Sequence, residues 1–177
     1  AFANIVLPKA LRRIRREEPF DDRDAAFTSE LVHGTLRARG RLDWALARHV
    51  SRPLGDLDPE VLDLLRLGAH QLLDMRVPDH AAVSATVDVA REHLTDGRVR
   101  MVNAVLRAVA REDVGRMDEE IARIEDGDAR LAVAHSHPEW MVRALRGALA
   151  AHGYDEAELE DVGAVAKNSL SPEPVLR

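Results

Sequence analysis

Arginines are the residues of this chain whose type and spacing best suit a chemical role, which is the binding of phosphate. A guanidinium group binds a phosphate through two parallel hydrogen bonds and stacks on exposed bases, so arginines sharing one helix face suit RNA. The chain has only two lysines, and its other cations are arginines. Three candidate RNA-binding groups occur, and they consist of Lys9, Arg12, Arg13 and Arg16; of Arg37, Arg39 and Arg41; and of Arg100, Asn103, Arg107 and Arg111.

The spacing of each group decides which face it occupies. The first follows the i, i+3, i+4, i+7 pattern that places four side chains on one side of a helix. The second spans Gly40, where we predict a turn, and the third shares one side of a helix predicted from Arg98 to Arg111. The alternative for every group is a solvated face whose arginines pair with nearby carboxylates. We predict that at least one group contacts RNA.

The distribution of charge divides the chain into two parts. Its formal net charge is −6, yet residues 1–112 contain 18 cations and 17 acids, whereas residues 113–177 contain 7 and 14. This asymmetry favours different partners for the two parts, although acidic segments are usually solvated helix faces. Aromatic residues make up 3% of the chain, and we expect Phe27 and Trp140 in the core. RNA recognition through shape and backbone is therefore predicted, rather than base stacking.

Several other chemistries lack their sequence patterns. Neither a glycine-rich nucleotide-binding loop nor the G-x-S-x-G sequence of a nucleophile elbow occurs, although serine, histidine and aspartate residues are all present. His135 and His137 have a spacing seen in zinc sites, but a catalytic site needs a third ligand, and we expect both histidines at a turn between helices. The chain has no cysteine and no apolar stretch of membrane-spanning length, which favours a cytoplasmic protein without membrane contact.

The hydrophobic pattern is helical throughout and predicts an all-α fold. Asp58-Pro59-Glu60 is a strong helix start, and the helix after it is apolar on nearly every side, which predicts a central position. Asp21 or Asp22 is expected to cap an earlier helix, in which Gly34 allows close approach of a neighbour. Other predicted helices run from about Ala1 to Arg16, from Leu42 to Val50, from Met117 to Ile124, from Asp128 to His135 and from Asp155 to Ala166.

One further helix is predicted after Ser136, which has capping-box spacing with Glu139. Its apolar face is expected to comprise Trp140, Met141, Ala144, Leu145, Ala148 and Leu149. At the end of the chain, Asn168–Arg177 contains two prolines and is predicted to be a linker that leaves the domain.

Four stretches of the chain together resemble a known family. They are DRDAAFTSELVHGTLR at 22–37, VPDHAAVSATVDVA at 77–90, VNAVLR at 102–107 and HSHPEW at 135–140. They are similar to the NusB-like front domain of bacterial 16S ribosomal RNA cytosine-C5 methyltransferases of the Sun/Fmu (RsmB) type. The resemblance implies an RNA-binding, NusB-like multi-helix bundle over residues 1–167, with the family's first helix missing and a linker over residues 168–177.

The resemblance also implies how the work is divided in the parent protein. Those enzymes use cysteines and S-adenosylmethionine in a separate domain, so no catalytic, cofactor or metal residue is assigned to this chain. The expected partners are ribosomal RNA, the parent's own methyltransferase domain and a ribosomal protein. Two alternatives remain open: a NusB-like transcription antitermination module acting through RNA and a protein partner, and a structural domain that docks on the methyltransferase through the Trp140–Leu149 helix.

Overall fold

The computed structural model describes residues 3–75, 77–153, 155, 159, 161 and 162, and within them it contains nine α-helices and no strand. The helices are α1 (Ala3–Glu17), α2 (Asp22–Arg37), α3 (Arg39–Ala47), α4 (Pro59–Leu73), α5 (Asp79–His93), α6 (Asp96–Val109), α7 (Val114–Ala122), α8 (Gly127–His135) and α9 (Glu139–Ala151). A short 3₁₀ helix, Leu54–Asp56, lies between α3 and α4. The prediction of an all-α bundle is confirmed.

Helix α4 is the centre of the bundle, as the sequence predicted. The side chain of Asp58 accepts a hydrogen bond from the backbone N–H of Glu60 at 3.1 Å, and Pro59 occupies the first helical position. The helix packs against α2, α3, α5 and α6. Because neighbours surround it on most sides, its apolar residues find buried positions around most of its circumference. The buried residues of α4 are Val61, Leu64, Leu65, Gly68, Ala69, His70 and Gln71.

Two glycines allow helices to approach α4 closely. A Cβ atom at Gly34 of α2 would lie 2.1 Å from Nε2 of His70, and a Cβ at Gly68 would lie 2.6 Å from a Leu106 methyl group of α6. Neither distance leaves room for a methyl group. The prediction that Gly34 permits a close helix contact is therefore confirmed. Asp21 is the residue that caps α2, through a 2.8 Å hydrogen bond from the backbone N–H of Asp24.

Helices α7 and α8 form a layer that packs on α3. Met117 and Ile121 of α7 are buried together with Ala45 of α3. Carboxylates reinforce the contact, because Glu120 pairs with Arg48, which holds the pKa of that carboxyl below its usual value. Helix α9 packs on α8, where Leu131, Ala132, Val142 and Leu159 form a second small core. The acidic part of the chain thus has its own packing, joined to the bundle through α3.

The predicted capping box between Ser136 and Glu139 is wrong. Ser136 ends α8 in the left-handed conformation, with φ of 56°, and Pro138 occupies the cap position of α9. The Ser136 hydroxyl instead accepts a hydrogen bond from the backbone N–H of Arg41 at 3.1 Å. A Cβ atom at Gly40 would lie 3.0 Å from the Cα of Ser136, so the start of α3 lies directly against the end of α8.

Three further expectations, for Phe27, Trp140 and Gly40, need correction. Phe27 is 45% exposed and Trp140 is 64% exposed, so neither belongs to the core. Helix α9 buries Val142, with Leu145 and Leu149 packed beside it, and this rotates the inward face away from Trp140. Gly40 does not form a turn, because α2 ends at Arg37 and α3 already begins at Arg39.

Two predictions fall on residues that are not described. The predicted helix from Asp155 to Ala166 lies largely outside the described residues, and the predicted linker over 168–177 lies entirely outside them. In the portion that is described, no helix combines the length and apolarity that crossing a bilayer requires. The described residues also contain no group of three histidine or carboxylate side chains arranged to hold a metal ion.

Candidate nucleic-acid interface

Helix α6 presents a row of arginines on the outside of the bundle. Its inward face is fixed by four buried side chains, so the opposite face must point to solvent. Arg100, Arg107 and Arg111 are all exposed, with Arg111 two residues beyond the end of the helix. The buried side chains that fix this orientation are Val102, Val105, Leu106 and Val109.

The arginines of this row are not neutralised by neighbours. Among the described residues, none of the three makes an ion pair with a carboxylate. The one hydrogen bond of the row joins Arg107 Nε to Oδ1 of Asn103 at 3.1 Å, and that acceptor is a neutral amide. Because a neutral acceptor leaves the guanidinium charge intact, Arg107 is oriented and still available to an anion.

A groove of about 420 Å³ separates α6 from α5 beside this row. Its floor is apolar and its rim is polar, and its lining contains more cations than acids. Arg91 of α5 differs from Arg107 and Arg111, because it pairs with the carboxylate of Asp88. The residues lining the groove are Asp79, His80, Val83, Ser84, Val87, Arg91, Asn103, Arg107, Ala110 and Arg111.

Sequence patterns did not indicate the α5 side of this groove. His80, Ser84 and Arg91 lie on α5, to which no binding residue was assigned from the sequence. No run of cations marks α5, and only the packing of α5 on α6 brings these side chains to the same groove as Asn103 and Arg107.

The cations of α1 form a second exposed row. Helix α1 packs against α2 and has no buried residue, so its basic face is open along its length. Arg13 pairs with Glu17 at 3.1 Å, whereas Lys9, Arg12 and Arg16 make no ion pair with the residues that the structure describes. This row is available to phosphates.

The arginines at the α2–α3 junction are in a different situation. Arg37 binds Glu30 at 3.0 Å with its own side chain mostly covered, and Arg39 lies 3.7 Å from Asp43. Asp43 is already engaged by Arg66 through two hydrogen bonds of 2.7 and 2.8 Å, which raise the pKa of Arg66. The charges of this group are therefore balanced within the protein.

Arg41 departs furthest from the expected exposed cation, and the structure corrects that expectation. It is 9% exposed, and its guanidinium binds Asp74 at 2.8 Å and Asp118 at 2.9 Å. Asp74 also accepts His70 Nδ1 at 3.0 Å. Arg41 thus joins α3 to α4 and α7 from the inside. The three sequence-predicted groups are not brought together into one surface, since the second of them is used to hold helices in place.

Comparison with known proteins identifies the family to which this chain belongs. The family model described as "NusB family" matches residues 2–111, which includes α1 to α6 and both exposed cationic rows. The chain belongs to the NusB family. Helices α7 to α9 lie beyond the residues matched by the NusB model, which agrees with their packing as a separate layer, α7 and α8 on α3 and α9 on α8.

Curated relatives of this NusB-family chain are named as methyltransferases. A putative methyltransferase of Mycobacterium tuberculosis (strain H37Rv) is 42% identical over 85% of the chain and 33% of the relative. A probable ribosomal RNA small subunit methyltransferase B of Bacillus subtilis is 33% identical over 89% of the chain and 33% of the relative. The enzyme of that name from Thermus thermophilus is 37% identical over 98% and 39%. The chain therefore spans about a third of the length of these relatives.

Proposed function

We propose that this chain is an RNA-binding domain that docks ribosomal RNA for cytosine-C5 methylation by a catalytic domain elsewhere in its parent protein. The observation that carries the proposal is the exposed α6 row, whose arginines have no carboxylate partner among the described residues. The names of the relatives and the membership in the NusB family support RNA as the ligand and methyl transfer as the parent's reaction.

The chemistry proposed for the domain is binding and orientation. Arginines that neutralise phosphates provide affinity that depends on salt, and they fix how the RNA lies without reading its sequence. Binding energy used away from the reacting base still raises the rate, because it holds that base in a productive position. We assign S-adenosylmethionine and the catalytic cysteines to the parent's other domain, because this chain has no cysteine and no glycine-rich loop after a strand.

Charge reversal on α6 tests the proposal. The double variant Arg107→Glu, Arg111→Glu should weaken binding to a ribosomal RNA hairpin at least tenfold, because it removes two attractions and adds two repulsions. The matched control is Arg123→Glu with Arg143→Glu, which changes the net charge equally at exposed arginines that pair with acids on their own helices. Equal losses for the two double variants, or no RNA binding at low salt, would contradict the proposal.

A second candidate function is a transcription antitermination module that acts through RNA and a protein partner. The observation favouring it is an apolar groove of about 330 Å³ between α2 and α4, where Leu36 is 53% exposed beside Val32 and Leu67. An exposed apolar groove edged by charged residues suits a protein contact. Under this function, RNA affinity should rise on addition of ribosomal proteins, and Leu36→Asp should abolish that rise. An RNA affinity that is independent of added protein argues for the docking function.

A further inference from the structure

The groove between α5 and α6 has a shape that phosphate binding alone does not explain. Its floor consists of the apolar residues Val83, Val87 and Ala110, while Arg107 and Arg111 lie at its rim. Its volume of about 420 Å³ falls within the usual range of small-molecule sites. A surface that contacts only a sugar-phosphate backbone needs cations, but it needs neither concavity nor an apolar floor.

The form of RNA decides what can enter such a groove. In a paired A-form helix the bases are stacked inside, and the protein meets phosphates and 2′-hydroxyls on a convex surface. In a loop or bulge, a base turned away from its neighbours presents two apolar faces and a polar edge. An apolar floor with a polar wall matches the unpaired base, and cations at the rim match the phosphates beside it.

We propose that this groove binds one unpaired nucleotide of the RNA. The base lies on Val83, Val87 and Ala110, its polar edge meets the amide of Asn103, and the adjoining phosphates bind Arg107 and Arg111. This inference rests on the proposed RNA-binding function and deepens it, since it names the form of RNA and the position of one base.

Asn103 is the residue that distinguishes this site from a plain basic surface. Its Oδ1 accepts the hydrogen bond from Arg107, and within the described part of the chain its amide nitrogen has no acceptor. One side of the amide therefore positions a phosphate-binding arginine, and the other can donate to a base. Ser84 supplies a hydroxyl on the opposite wall, and Asp79 is the one carboxylate that lines the groove.

Filling the groove without changing its charge separates base insertion from phosphate binding. Ser84→Leu places a larger apolar side chain at an exposed groove position, and Ala85→Leu places the same side chain at the next exposed position of α5, outside the groove lining. Affinities are measured for a hairpin RNA with a single-stranded loop and for a blunt duplex of the same stem sequence. We expect Ser84→Leu to weaken hairpin binding about tenfold and to leave duplex binding within about twofold, with Ala85→Leu changing neither.

A fluorescent base analogue identifies the nucleotide directly. The analogue 2-aminopurine is placed at each loop position in turn, and its emission reports a change of stacking when the base leaves its neighbours. We expect a change at one loop position on binding, which is lost in both Ser84→Leu and Asn103→Ala. A change at no position, or changes that persist in both variants, would overturn the inference.

The outcomes for the inference and for the proposed function are distinct. If Arg107→Glu with Arg111→Glu weakens both RNAs while Ser84→Leu affects both or neither, phosphate docking stands and the nucleotide site is wrong. If neither RNA binds at low salt, the proposed function fails and the nucleotide site fails with it. Selective loss of the hairpin in Ser84→Leu supports both.

Discussion

The arginines of α6 and those of the α2–α3 junction have the same residue type but opposite roles. At the junction, Arg41 lies between Asp74 and Asp118 and connects three helices. On α6, Arg107 is held by the neutral amide of Asn103 and faces solvent. The difference lies in the acids that the fold supplies nearby. An arginine is available to an external anion when tertiary packing brings no carboxylate of the protein next to it.

The largest effect expected from this comparison is on stability. Arg41→Met removes two charged hydrogen bonds, to Asp74 and Asp118, from a largely buried guanidinium, and losing them should cost about 2–3 kcal/mol. Arg107→Met removes an exposed side chain and should change the free energy of unfolding by about 0.5 kcal/mol or less. Urea denaturation of both variants measures the difference. Similar losses at the two positions would remove the distinction between the regions.

A second test concerns the close packing that fixes the junction. Gly34→Ala places a methyl group against the buried ring of His70, and overpacking of this kind costs about 1–3 kcal/mol. The control is Gly55→Ala, because a Cβ atom there would meet no other atom within 4 Å. Thermal or urea unfolding should show a loss only at position 34. A fully stable Gly34→Ala protein would mean that α2 and α4 can separate freely.

The salt dependence of RNA binding compares Arg107 of α6 with Arg39, an exposed arginine of the α2–α3 junction. Arg107→Gln should reduce the log–log slope of affinity against salt by about 0.7–0.9 for the one phosphate contact that it loses. Arg39 is 63% exposed at its side chain, yet it lies 3.7 Å from Asp43, so Arg39→Gln should leave the slope unchanged. Equal reductions in the two variants would show that a nearby carboxylate does not decide which arginines bind RNA.

The smallest expected effect is the pH dependence of the α3–α7 contact. The bond from Arg48 lowers the pKa of Glu120, so this carboxyl stabilises the folded protein above its ordinary pKa of 4.5. The contribution is lost as the pH falls through the lowered folded-state pKa. The free energy of unfolding of Glu120→Gln should therefore fall less than that of the original protein when the pH is lowered from 7 to acidic values.

The control for that experiment is Glu125→Gln, at an exposed acid that makes no ion pair with the described residues. Urea midpoints measured at neutral and acidic pH give the comparison for all three proteins. If Glu120→Gln and Glu125→Gln depend on pH in the same way, the bond between Arg48 and Glu120 does not contribute to the contact.

Local signals in the sequence were sufficient for much of the fold. The Asp58-Pro59 helix start, the cap at Asp21 and the close contact at Gly34 were all predictable, because each depends on residues close together in the chain or on the absence of a side chain. The capping box at Ser136 failed for the opposite reason. Its hydroxyl binds the backbone of Arg41, a partner 95 residues away that no local pattern reveals.

The same limit applies to the candidate site. Periodicity correctly placed Arg107 and Arg111 outside the bundle, since three buried valines and one leucine fix the opposite face of α6. It could not separate them from Arg41, whose partners come from α4 and α7. Trp140 was assigned to the core from its place on an apolar helix face and is instead exposed, because Val142 sets the inward face of α9.

Glycine at position 40 has a consequence for other members of the family. A Cβ atom there would lie 3.0 Å from the Cα of Ser136 at the end of α8, so a side chain requires that backbone to shift by a few tenths of an ångström. Helix α8 lies beyond residues 2–111, so the restriction comes from the added layer and not from the six-helix unit. A family member built of α1 to α6 alone should tolerate larger residues at this position. Comparing this position between family members with and without the second layer tests that expectation.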